Sequence, residues 1–177
     1  MRIISGKHKG RRITAPSKLP VRPTTDMAKE ALFNILNNQY HLSELKVLDL
    51  FSGTGNLAFE FGSRGAKDIT AVDAHFDCVI FIKKTSEELE LPIMAIKSDV
   101  YKYLEKGAMK SDLIFADPPY DFTADQFGKI AGIIFDRNLL NEDGALIIEH
   151  SKHTDLSQFP HYSHQRKYGS SVFSFFE

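Results

Sequence analysis

The residues best suited to chemistry are Asp117-Pro118-Pro119-Tyr120, which directly follow the apolar run Leu113-Ile114-Phe115-Ala116. The two prolines have fixed φ and no N–H, so they stiffen the chain and leave carbonyls free as acceptors. Asp117 adds a further acceptor and Tyr120 a flat stacking surface. These are the parts needed to hold the exocyclic amine of a planar base. Such an amine is a poor nucleophile because its lone pair is delocalised into the ring. Hydrogen bonds from its N–H groups to Asp117 and to the Pro118 carbonyl favour a pyramidal nitrogen, whose lone pair then points at an electrophilic methyl group. Catalysis of this kind is positioning and electrostatics, with no covalent intermediate. A turn that merely closes a strand is the plain structural alternative.

A second constellation lies in Leu48-Asp49-Leu50-Phe51-Ser52-Gly53-Thr54-Gly55-Asn56-Leu57-Ala58. Gly53, Gly55 and Ala58 fit G-x-G-x-x-G/A, and Asp73 follows Gly55 by 18 residues, as in a dinucleotide site. Asp49, four residues before Gly53, argues against that ligand, because a carboxylate there repels a pyrophosphate. It welcomes a sulfonium or ammonium group, as S-adenosylmethionine carries. Gly53 and Gly55 permit close backbone approach. Asp73 can accept both hydroxyls of a ribose, and Asp99 can accept from the amine of an adenine. No phosphate-binding G-x-x-x-x-G-K-[ST] loop occurs. Asp49, Asp73, Asp99 and Asp117 each stand at or just after an apolar run. One such acid is an ordinary cap or turn residue. Four at one sheet edge describe an anionic rim.

The elements that must position these residues follow from the patterning. Strands are expected at Val47–Phe51, Ile69–Val72, Ile93–Ile96, Leu113–Ala116 and Ala145–Ile148, with helix-length segments between them. Strand–helix alternation implies a mostly parallel sheet with helices on both faces, and ligands then bind beyond the carboxyl ends of the strands. Candidates near His164–Tyr168 and Val172–Phe176, around Gly169-Ser170-Ser171, read as a closing hairpin and bring the strands to seven. Upstream, Thr24 or Thr25 can cap a helix whose apolar stripe is Ala28, Ala31, Leu32, Ile35 and Leu36. At the start of the chain, Arg2–Ser5 and Arg11–Thr14 flank Gly6-Lys7-His8-Lys9-Gly10 and read as a β-hairpin.

At 177 residues and 20.0 kDa the chain is one domain's worth. Its 42% hydrophobic and 25% charged residues exclude a disordered chain or a coiled coil. One cysteine, Cys78, excludes an internal disulfide, and no apolar run reaches membrane-spanning length. A reducing cytoplasm is the expected setting. His150 and His153 follow a strand and are not expected to hold a metal. The net charge of -1 conceals an asymmetry: residues 1–22 carry +7 with no acid, leaving -8 on the rest. The expected organisation is a basic arm at 1–23 and a body at 24–177.

The Asp49–Gly55 loop together with Asp117-Pro118-Pro119-Tyr120 resembles the class I S-adenosylmethionine-dependent methyltransferases that act on an amino group of a nucleobase. More narrowly, Gly6–Arg12, Arg22-Pro23-Thr24, Glu30-Ala31-Leu32-Phe33-Asn34-Ile35-Leu36, the Leu48–Gly55 loop and Ser63-Arg64-Gly65-Ala66 resemble the RsmD family nearly end to end. That resemblance implies the Rossmann-like class I methyltransferase fold and methylation of a guanine N2 in 16S ribosomal RNA, at guanine 966. It implies a cofactor set of Asp49, Phe51, Gly53, Gly55, Asp73, Asp99, Val100 and Asp117. Catalysis falls to Asp117, Pro118, Pro119 and Tyr120, with the flipped base stacked on Tyr120. Lys7, Lys9, Arg11, Arg12 and Arg22 are expected to meet RNA phosphates, on free ribosomal RNA or an assembling small subunit, with the protein a monomer. The chain departs from the family at Lys29, commonly Arg, and at Asp73, commonly Glu. Lys29 loses a bidentate fork. Two alternatives stay open: an adenine-N6 methyltransferase acting on DNA or RNA, which uses the same four residues, and an NAD-dependent oxidoreductase.

Overall fold

A computed structural model describes residues 1–177. The seven strands are β1 (Lys46–Leu50), β2 (Asp68–Asp73), β3 (Ile93–Lys97), β4 (Ser111–Ala116), β5 (Leu140–Ser151), β6 (Tyr162–Tyr168) and β7 (Ser171–Phe176). They form one sheet in the order β3-β2-β1-β4-β5-β7-β6, parallel except for β7, which runs antiparallel to both neighbours. The helices are α1 (Asp26–Gln39), α2 (Asn56–Ser63), α3 (Phe76–Glu88), α4 (Val100–Lys106) and α5 (Ala124–Asp136). None is long and apolar enough to cross a membrane.

Side chains alternate between the faces of a strand, so the register decides what the two faces carry. Val47, Leu113, Phe115, Ala145, Ile147, Phe173 and Phe175 pack under α1, α2 and α3. Leu48, Leu50, Ile114, Ala116, Leu146, Ile148 and Phe176 pack under α4 and α5. Asp49 pairs with Phe115, and Phe115 with Ile147. Counting two residues on, Asp49, Asp117 and Glu149 all belong to the α1–α3 face, at the carboxyl ends of three adjacent strands. Asp73 joins them, because Asp49 pairs with Ala71 on β2.

Thr25, not Thr24, caps α1, its hydroxyl accepting from the Ala28 N–H. Gly65 follows the end of α2 with φ +100°, as its type allows. The expected amino-terminal hairpin forms: an antiparallel bridge joins Arg2 to Arg12, and backbone N–H groups of Ile3, Gly10 and Ile13 donate to the carbonyls of Arg11, Ile3 and Met1 at 2.9, 2.8 and 2.9 Å. Ile3 and Ile13 turn into the α1–α3 core, but the segment between them bonds to α2. The N–H groups of Ile4 and Ser5 donate to the Glu60 carboxylate at 2.9 and 3.1 Å, and that of Lys7 to the Ser63 carbonyl at 2.7 Å. Gly6 makes this approach possible: a Cβ there would lie 1.9 Å from the Ser63 oxygen.

Glu60 is fully buried and also meets Lys29 Nζ at 3.4 Å and Arg64 Nε at 2.8 Å. Burial lowers the Lys29 pKa while Glu60 holds it up. Lys29 further donates to the Arg2 carbonyl at 2.6 Å and to Asn56 Oδ1 at 2.8 Å. The departure from Arg at this position is therefore met by a buried ammonium with three partners. Removing one member of such a group strands the others. Glu60→Ala is expected to cost about 3–5 kcal/mol, measured by denaturant unfolding, with faster hydrogen exchange at Ile3 and Ile13.

Candidate active site

The sheet's carboxyl edge opens into a cleft of about 610 Å³, within the size range of small-molecule sites. Its walls come from Pro20–Thr24, from Asp49 and the Phe51–Leu57 turn, from Asp73–His75, and from Phe115 and Asp117–Tyr120. Most of the sequence-expected site thus converges: Asp49, Phe51, Gly53, Asp73, Asp117, Pro118, Pro119, Tyr120 and Arg22 share one concavity.

Asp49 ends its strand deep in this cleft. Burial, and then the charge of Asp73, push its carboxyl up to about 8, opposed by the Ala58 N–H. Its Oδ2 has no partner, and neither does the buried Ser52 Oγ. Both residues line the cleft. Buried polar atoms are normally satisfied, so two orphans on one wall mark where a polar ligand belongs. Asp73 is differently occupied. Its Oδ2 accepts from the Gly53 N–H and its Oδ1 from the His75 N–H, both at 2.8 Å. Each oxygen keeps a second lone pair. Phe51 sits at φ +55° and puts its ring edge-on to Phe122 at 5.5 Å.

Asp117 is surrounded by protein yet open to the cleft. Burial, then Glu149, then Asp49 hold its carboxyl well above the usual carboxylate range. The Pro119 carbonyl accepts from the Phe122 N–H at 3.0 Å, whereas no backbone N–H takes the Pro118 carbonyl. Tyr120 is 66% exposed, its ring presented to solvent.

Seven expected site residues fall elsewhere. Gly55 does not line the cleft; at φ +80° it starts α2, and a Cβ there would meet Ile82 at 2.9 Å and Phe59 at 3.0 Å. Asp99 caps α4 through the Lys102 N–H at 3.0 Å, and Val100 packs into the α4–α5 core. Neither is among the cleft's lining residues. Arg11 and Arg12 line a separate cavity of about 450 Å³ against α3, with Lys18, Lys84 and Asp77. Lys7 pairs with Glu90 at 3.6 Å, and Lys9, like Arg11, Arg12 and Arg22, is exposed. His150 donates to or accepts from Ser174 Oγ at 2.7 Å inside the sheet layer.

Sequence reasoning missed Glu149. It is buried, accepts from Thr24 Oγ1 at 2.6 Å, and neighbours Asp117 across the β4–β5 ladder. The signal was available: it is a fifth acid directly after a fifth apolar run. Asn56, which fixes the Thr24 carbonyl through Nδ2 at 3.0 Å, was missed as well.

Because Asp49 binds its proton more tightly in the fold than its ordinary value of 3.8, its stabilising contribution is complete below that value and lost as pH rises through about 8. Asp49→Asn is therefore expected to raise the melting temperature of the unliganded protein more at pH 9 than at pH 5. Equal shifts at both pH values would refute the assignment.

The family model described as Conserved hypothetical protein 95 matches residues 1–177. A putative rRNA methyltransferase, YlbH of Bacillus subtilis (strain 168), is 33% identical over 163 residues, 89% of this chain and 86% of that protein. Ribosomal RNA small subunit methyltransferase D of Buchnera aphidicola subsp. Baizongia pistaciae is 31% identical over 150 residues, 84% of this chain and 75% of that protein. Among solved structures, a putative methyltransferase, yhhF of Escherichia coli, superposes with a TM-score of 0.86 at 23% identity, over 99% of this chain and 96% of that one. With the sheet order and the strand-end cleft, these likenesses place the chain in the RsmD family, the family of the Conserved hypothetical protein 95 model, with the class I methyltransferase fold.

Proposed function

We propose that the chain transfers a methyl group from S-adenosylmethionine to the exocyclic N2 amine of a guanine in 16S ribosomal RNA, guanine 966, acting as a monomer. The observation that carries this reading is one cleft with two unlike walls. On one wall stand unsatisfied carboxyl and hydroxyl groups, Asp49 Oδ2 and Ser52 Oγ. On the other stand Asp117, an unbonded Pro118 carbonyl and an exposed Tyr120 ring. The names of the relatives, which are ribosomal RNA methyltransferases, point to the substrate class.

S-adenosylmethionine supplies the methyl group as a sulfonium electrophile and leaves as a neutral thioether. The orphaned Asp49 oxygen fits its cationic end, and the Phe51–Gly53 backbone forms the floor beside it. Asp73 offers its free lone pairs to the ribose. Asp99 and Val100 stand at the end of β3, one strand beyond Asp73, and we assign them to the adenine end, which they would hold. Gly55 serves this site by letting α2 pack on α3 rather than by touching the ligand.

Tyr120 offers the flipped base a stacking face, worth about 1–3 kcal/mol per base. Asp117 and the Pro118 carbonyl accept the two N2 protons and orient the nitrogen lone pair. As the N–C bond forms and the C–S bond breaks, the nitrogen carries one proton too many, and Asp117 is the nearest base. Arg22, at the cleft mouth beside Tyr120, is placed to meet the phosphate of the target nucleotide. Lys7, Lys9, Arg11 and Arg12 extend that cationic track along residues 1–23, which we propose as the RNA-gripping segment of a catalytic body spanning 24–177. Such contacts give affinity and salt dependence more than sequence choice.

Titration calorimetry is expected to show S-adenosylmethionine binding and no NAD binding; NAD binding alone would overturn the proposal. Asp117→Ala is expected to cut methyl transfer by at least ~100-fold while cofactor binding persists. Nucleoside mass spectrometry of 16S ribosomal RNA from cells lacking the gene is expected to lose N2-methylguanosine; loss of N6-methyladenosine instead would select the adenine reading. Neutralising Arg11 and Arg12 is expected to weaken RNA binding and flatten its dependence on salt.

A further inference from the structure

Glu149 has no part in the scheme above, yet it is 5% exposed at the edge where that scheme operates. Ala116 pairs with Ile148, so Asp117 and Glu149 are the next rung of a parallel ladder and share a face. Adjacent strands lie roughly 4.8 Å apart. Two carboxylates so placed repel strongly unless a cation or a proton stands between them. No cation does. Lys29, the nearest buried one in the chain of contacts, is committed to Glu60, Asn56 and the Arg2 carbonyl. The groups facing Asp117 are Glu149 from β5, Asp49 from β1, and Tyr120 and Arg22 at the cleft mouth, of which only the exposed Arg22 is cationic. None of the three acids takes part in an ion pair.

The two carboxylates are not equivalent. Glu149 receives hydrogen bonds from Thr24 at 2.6 Å and from Ser171, both of which favour its anion. No hydrogen bond reaches the Asp117 carboxylate. A proton shared by the pair therefore resides on Asp117.

We propose that Glu149 is a positioning residue which, pinned by Thr24 as a fixed negative charge, makes Asp117 the group that takes up the proton shed by the methylated amine. The inference rests on the proposed amino methyl transfer and adds to it a source of basicity. The proton resident on Asp117 first leaves to solvent through the open mouth. With Asp117 ionised, the nitrogen lone pair forms the N–C bond, the C–S electrons go to sulfur, and one N–H proton passes to an Asp117 oxygen and restores the resting state. An isolated carboxylate is a weak base for this step; one beside a second anion is a stronger one. The raised affinity of Asp117 for its proton, caused by burial and then by Glu149, agrees with that role.

The test is a carboxyl titration of the unliganded protein by NMR with carbon-labelled aspartate, the Asp117 resonance being the one lost in Asp117→Asn. Glu149→Gln keeps the acceptor for Thr24 and the side-chain volume but removes the charge. It is expected to lower the Asp117 midpoint by about one pH unit. The acid limb of methyl transfer should move down with it, and the plateau rate should fall roughly 10-fold. Thr24→Val lets the proton pass to Glu149 and leaves Asp117 more ionised at neutral pH, and Thr24→Ser restores the wild-type midpoint. An Asp117 midpoint unmoved in both Glu149→Gln and Thr24→Val overturns the inference, whatever happens to the rate. Wild-type protein that transfers no methyl group to ribosomal RNA overturns the functional proposal instead, and the titration still decides the pairing.

Discussion

Glu60 has no exposed surface and never reaches the cleft, but the cleft is assembled around it. Its carboxylate gathers two backbone N–H groups from the start of the chain, the Lys29 ammonium from α1 and the Arg64 guanidinium from its own helix. A buried anion is tolerated only when every lone pair is used, and this one is fully engaged. From it a line of bonds runs outward: Lys29 to Asn56, Asn56 to the Thr24 carbonyl, and the Thr24 hydroxyl to Glu149. The amino-terminal segment, the first turn of α2 and the end of β5 are thereby fixed relative to one another.

At the sheet edge the opposite rule holds. Asp49, Asp117 and Glu149 lack the cations that Glu60 has, and the fold bears the repulsion by keeping protons on carboxyl groups. Strain of this kind is typical of sites completed by a ligand. The same chain thus treats its buried acids in two ways, and among these cationic partners go only to the structural one. The overall charge of -1 reflects neither arrangement.

Much of this was legible before any coordinates. Five of the strands announced themselves because buried parallel strands are continuous apolar runs, and Asp117-Pro118-Pro119-Tyr120 because consecutive prolines have few other uses at a strand end. What escaped notice depended on register. Glu149 becomes a partner of Asp117 only once Ala116 is known to pair with Ile148, and the four residues of β5 that stand opposite Asp112 alone hide that alignment in a linear reading. Gly55 fits a ligand-binding pattern, yet its missing side chain makes room for Ile82, a contact 27 positions away that spacing cannot reveal. The amino-terminal hairpin was legible, but its docking on α2 was not, because alternation shows which side chains turn inward, not where the remaining backbone N–H groups find their acceptors.

Phe51 carries a lesson for anyone re-engineering this fold. Its left-handed backbone costs on the order of 1–2 kcal/mol in a residue with a Cβ. Its edge-on contact with Phe122 returns about 0.5–1.5 kcal/mol beyond the buried area. The ring's partial burial against the α4–α5 core comes on top of that contact, so the packing outweighs the strain. A stabilisation scheme that scores backbone comfort alone would install glycine there and lose core packing and a wall of the cleft at a single position.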